Sequence, residues 1–131
     1  MTYSLPRLDY VVKQIARRPR DIFLACHLKF LHEAAVLQRR FTDIQVRLHS
    51  SLHCKLVLIK PETIYLGSSN FGNSGWHEVE AGIRDKGAHD FYAEKVFNPA
   101  WEQSWPVEKC LRYIKNKGGV KRIGGWVLRP Q

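Results

Sequence analysis

His53 and Lys55 stand one residue apart at the head of an apolar run, Leu56-Val57-Leu58-Ile59. On a strand, residues i and i+2 project to the same face. An imidazole and an ammonium would then point together where a buried strand begins, an odd choice for a core and a suitable one for a phosphate. Downstream comes Gly67-Ser68-Ser69-Asn70. If residues 55–60 and 63–66 form a hairpin, this loop folds back beside His53. Gly67, Ser68 and Ser69 leave room for a ligand, and loop N–H groups bind oxyanions. Asn70 can donate its amide to a phosphoryl oxygen. Glu78 and Glu80 share one face of the next strand, and a carboxylate near an imidazole fixes its tautomer and raises its basicity.

The elements that must hold these residues are legible from periodicity. Leu8, Val11, Val12 and Ile15 recur at helical spacing, predicting a helix that ends near Arg18-Pro19. Residues 21–28 contain a short apolar run suited to a buried strand. Phe30, Ala34, Leu37 and Phe41 predict a second helix. Ile44, Val46 and Leu48 alternate with polar residues, so a strand follows. Residues 55–60 are apolar on both faces and read as a central strand. Pro61-Glu62 makes a turn, and residues 63–66 return. Residues 79–83 are a further strand, and residues 91–101 a helix with Tyr92, Val96 and Phe97 toward the core. Pro106 opens a last helix carrying Val107, Leu111 and Ile114. The expected fold is α/β, a mixed central sheet flanked by helices, in one domain spanning residues 1–131. The tail, residues 115–131, is Gly-rich and basic.

His53-x-Lys55, eleven residues, Gly67-Ser68-x-Asn70, then Glu78 resembles the HKD motif of the phospholipase D superfamily. The run Glu78-Val79-Glu80-Ala81-Gly82-Ile83 is similar to the Glu-bearing strand that follows that motif, and residues 91–101 to the helix after it. The resemblance covers residues 44–102. It departs at Lys60, where the family carries Asp, and the region before His53 is about one strand–helix unit shorter than a typical family half.

The resemblance implies a phospholipase D-like half-unit and metal-independent phosphodiester cleavage through a phosphohistidine on His53. Lys55 and Asn70 would hold the phosphoryl oxygens, Glu78 (with Glu80 as runner-up) would orient His53, and Ser68 would bond the phosphate or a neighbouring Glu. Superfamily members bring two H-x-K motifs to one site. With the motif at His53 counted as the only one, the partner implied is a second copy of the chain in a homodimer. No cofactor is implied and no metal, since lysines neutralise the phosphate.

The net charge is +9, and it is unevenly spread. Residues 1–47 hold nine Lys/Arg against four Asp/Glu, residues 48–105 five against seven, and residues 106–131 seven against one. Basic flanks around a near-neutral motif suit a polyanion, nucleic acid first. In the tail, Lys121 and Arg122 near Trp126 are candidate substrate-binding residues. Cys26, Cys54 and Cys110 form no CxxC pair, so neither a disulfide framework nor a zinc site is expected. The longest apolar runs are too short for a membrane span, and residues 1–7 lack the apolar stretch of a secretory signal. These observations point to a cytoplasmic protein. His27, His32, His49, His77 and His89 read as structural. The substrate expected is DNA or RNA. The same chemistry on a phospholipid, and a nucleic-acid-binding dimer without turnover, are the alternatives.

Overall fold

The structure, a computed structural model, describes residues 1–5, 8–17, 20–68 and 80–116. The chain runs α1 (Leu8–Arg17), β1 (Phe23–His27), a 3₁₀ turn (Leu28–Phe30), α2 (Leu31–Arg40), β2 (Gln45–His49), β3 (Leu56–Ile59), β4 (Thr63–Gly67) and β5 (Glu80–Arg84). It ends with α3 (Lys86–Tyr92), a π turn (Ala93–Phe97), α4 (Asn98–Glu102), β6 (Trp105–Pro106) and α5 (Val107–Asn116). The fold is α/β, as the patterning predicts.

The strands divide into two three-stranded sheets, in the orders β1-β2-β6 and β3-β4-β5, where one central sheet was expected. β1 and β2 are parallel, with Phe23 opposite Gln45 and His27 opposite His49. β3, β4 and β5 are antiparallel neighbours. Residues 1–3 lie between the two sheets. On one side Thr2 N donates to Ala25 O at 3.0 Å and His27 N to Tyr3 O at 3.3 Å. On the other side the Met1 amino group donates to Leu56 O at 2.6 Å, and Leu56 N donates back to Met1 O at 3.1 Å. Reciprocal bonds of this kind mark an antiparallel pair, so this short segment runs parallel to β1 and antiparallel to β3. It has three residues and no periodicity, so sequence patterning does not reveal it.

Two clusters form the core. Leu24, Cys26, Val46 and Leu48 of β1 and β2 pack with Leu5, Val11, Ile15, Leu31, Ala34, Leu37, Val107 and Cys110 from α1, α2, α5 and the segment before α1. Ala25, Leu52, Leu56 and Ile64 form the second cluster, covered by Tyr92, Val96, Phe97 and Trp101. The helix expected over residues 91–101 is therefore present, begins earlier, and carries a π turn. Asp85 caps its start, its carboxylate accepting from Ala88 N at 2.6 Å. In α5 the inward residues are Val107, Cys110 and the partly buried Ile114, while Leu111 is 45% exposed. Leu111 was expected inward. The i, i+3, i+7 stripe through Cys110 wins because that thiol seats fully among the strands. Burial pushes the Cys110 thiol up to about 11 and the Cys26 thiol up to about 12, so both are unreactive core groups.

The face of β3–β5 that points away from Trp101 carries Val57, Ile59 and Tyr65, with Ile59 43% and Tyr65 40% exposed. The Tyr65 ring lies over Gly82, where an added Cβ would come within 3.0 Å of Cε1. Against this half-open hairpin, Ile64 is fully buried. Ile64→Ala is expected to destabilise the protein by about 2–5 kcal/mol in denaturant titration, and Ile59→Ala by less than about 1 kcal/mol. Equal losses would show that the outer face is packed as tightly as the inner one.

Candidate phosphate site

β1 and β2 both end in histidine, so His27 and His49 sit side by side at the carboxyl edge of the parallel strands. Tyr3 ends the neighbouring segment at the same edge. β3 begins there, because it runs the opposite way, and brings His53 and Lys55 with it. In open α/β sheets the carboxyl edge of the parallel strands is where ligands bind.

His53 is exposed, and its Nδ1 lies 3.2 Å from Lys55 Nζ. Lys55 Nζ also donates to the His53 carbonyl at 3.3 Å. The two side chains meet as their spacing predicts, although residues 52–55 precede the strand. Lysine only donates, so His53 Nδ1 is the acceptor in this contact. The hairpin register sets Leu56 opposite Leu66, and Gly67 and exposed Ser68 follow at the same edge as Lys55. Gly67 in turn faces Glu80 across β5. Ser69, Asn70, Glu78, Lys121 and Arg122 lie outside the described residues.

Lys60 is exposed at the far end of β3. Five strand steps from Lys55 correspond to about 16 Å. Lys60, where the resemblance implies an Asp, is thus remote from the histidine–lysine pair.

The structure adds residues that were read as structural or passed over. The Tyr3 ring stands between two imidazoles, with centroids 5.2 Å from His27 and 4.8 Å from His53. Lys29 donates to the Tyr3 hydroxyl, and its Nζ lies 4.1 Å from the Tyr3 ring centroid. Lys55 Nζ lies 6.0 Å from the same centroid. His27-Leu28-Lys29 repeats the H-x-K spacing of His53-Cys54-Lys55, so counting one such pair was an error. The repeat was visible in the sequence.

Hydrogen bonding sets the histidine tautomers. His27 Nδ1 accepts from Lys29 N at 3.1 Å, and His49 Nδ1 from Ser51 N at 3.1 Å. The His27 pKa is lowered, first by desolvation and next by the Lys29 charge, with His49 and His53 adding to it, while a bond to the Ser50 backbone works the other way. Among the described residues neither Lys29 nor Lys55 is paired with a carboxylate. Metal-ligating histidines usually donate their second N–H to an acceptor. His27 is bonded at both ring positions, its Nδ1 accepting from Lys29 N and its ring bonded to the Ser50 backbone, and His49 Nδ1 accepts from Ser51 N. The positive charge at this edge is therefore that of Lys29 and Lys55, which suits an anion. Cys54, between His53 and Lys55, is half-buried, and desolvation raises its pKa despite Lys55.

No protein family, curated protein or solved structure matches this chain. No helix among the described residues is long and apolar enough to cross a membrane.

Lys29→Met is expected to raise the His27 pKa, because removing a nearby positive charge favours the protonated ring. Ring-carbon NMR titration of both proteins checks this. A His27 pKa at or above the usual histidine value in the parent protein would contradict the described packing.

Proposed function

We propose that the chain is a phospholipase D-like half-unit and a metal-independent phosphodiesterase, an endonuclease on DNA or RNA. The observation that carries this is the His53–Lys55 pair at the carboxyl strand edge, beside Gly67 and Ser68, with no carboxylate paired to Lys55 among the described residues. The uncompensated positive charge favours a phosphate, and the basic flanks of the sequence favour a long polyanion.

In the proposed reaction His53 Nε2 attacks phosphorus, and the bond to the leaving oxygen breaks as the P–N bond forms. His53 of the partner subunit in a homodimer protonates that oxygen, then takes a proton from the water that cleaves the P–N bond. Lys55 and Asn70 hold the non-bridging oxygens. Attack requires a lone pair on Nε2. Lys55 must therefore leave Nδ1 for the phosphate, and a carboxylate must accept the Nδ1 hydrogen. Glu78 is assigned that role, with Glu80 as the alternative. Ser68 and Ser69 donate to the phosphate or hold the carboxylate. Lys121 and Arg122 contact the backbone of the nucleic acid. His27 does not replace the partner's acid, since Lys29 N and the Ser50 backbone engage its ring.

Nicking of plasmid and single-stranded nucleic acid in EDTA is the test. Activity is expected without metal, and His53→Ala should lower it by at least about 10³-fold. Sedimentation should give a dimeric mass at micromolar concentration, and a monomer that still cleaves would remove the two-chain site. The contact of Lys55 with His53 Nδ1, in place of a carboxylate, favours one second reading: a nucleic-acid-binding dimer without turnover. Salt-sensitive binding with no cleavage, unchanged by His53→Ala, would select it.

A further inference from the structure

We propose that Lys29 is a second phosphate-binding residue within the same protomer, taking a phosphate adjacent to the one held at Lys55. The ligand class is a molecule carrying two directly linked phosphates, for which pyrophosphate is the smallest probe. This rests on the reading of the His53–Lys55 pair as a phosphate site.

Three observations converge on Lys29. Its Nζ and that of Lys55 lie 4.1 Å and 6.0 Å from the centroid of one tyrosine ring, so both ammonium groups border Tyr3. Among the described residues, neither has a carboxylate partner. Lysines that only served solubility would spread apart or pair with acids. Each is held at this edge by a hydrogen bond, Lys29 by the Tyr3 hydroxyl and Lys55 by His53.

Backbone geometry fixes the position of Lys29. The 3₁₀ turn after β1 begins with His27, whose Nδ1 accepts from Lys29 N. That contact folds the chain back so that the Lys29 side chain returns over Tyr3 and does not continue along β1. His27 is a positioning residue here, neutral because burial and the neighbouring positive charge disfavour its protonation. A single phosphate engages Lys55 and has no need of Lys29. A ligand with two linked phosphates engages both lysines, and the positive potential that opposes His27 protonation is then neutralised.

The experiment compares orthophosphate with pyrophosphate on the full chain, by calorimetry and by histidine ring NMR. In the unsubstituted protein pyrophosphate should bind at least about tenfold tighter than orthophosphate. It should also move the ring signals of both His27 and His53, whereas orthophosphate moves His53 alone. Lys29→Met should lower pyrophosphate affinity about tenfold more than orthophosphate affinity, Lys29→Arg should restore most of the difference, and Lys55→Met should weaken both anions. If Lys29→Met weakens both anions equally, or neither, the second subsite does not exist. If Lys29→Met does not fold, the NMR comparison in the unsubstituted protein decides, and orthophosphate moving both rings alike overturns the proposal. Failure of the phosphodiesterase reading appears separately, as no cleavage in EDTA by a protein that still binds both anions. A protein that binds neither anion removes both.

Discussion

Two ladders of hydrogen bonds meet on residues 1–3, and everything at the carboxyl edge depends on that junction. Thr2 and Tyr3 bond to β1, Met1 bonds to β3, and among the described residues no other strand lies between the two three-stranded sheets. The ring of Tyr3 then separates His27 of one sheet from His53, which leads into the other. A backbone seam therefore sets the distance between side chains that come from two different sheets. The apolar clusters on either side are distinct, so each half is stabilised by its own helices. The seam contributes direction more than burial, since hydrogen bonds are directional and the hydrophobic effect is not.

Much of this fold is legible in the sequence, and the reasons are local. Val46 and Leu48 alternate with polar neighbours and become buried positions of β2. Ala34 and Leu37 share a helical face and are buried in α2. The β3–β4 hairpin follows from a strongly apolar run, a proline turn and a return strand. Residues 1–3 escape because three residues carry no period and their partners are remote in sequence. The division into two sheets escapes for the same reason. Leu111 misleads because i+4 and i+3 both fit a helix, and only the seat available to Cys110 decides between them.

The candidate site is legible in part. His53 and Lys55 meet because a spacing of two suffices in extended chain, and Gly67 and Ser68 arrive beside them through the register of one hairpin. Tyr3 and His49 could not be assembled from spacing, since each comes from a different strand end. His27 and Lys29 are a separate case: their spacing repeats that of His53 and Lys55, so the pair is legible in the sequence. Lys60 looked like a defect in the motif. It lies just past the opposite end of β3 from Lys55, away from the histidine–lysine pair.

That neither Lys29 nor Lys55 pairs with a carboxylate among the described residues has an energetic side. Like charges held within one patch repel, and the folded chain carries that repulsion whenever the patch is empty. The unfolded chain, with its lysines apart, does not. An anion that settles there therefore removes a cost of folding as it binds, and its affinity is linked to the stability of the whole molecule.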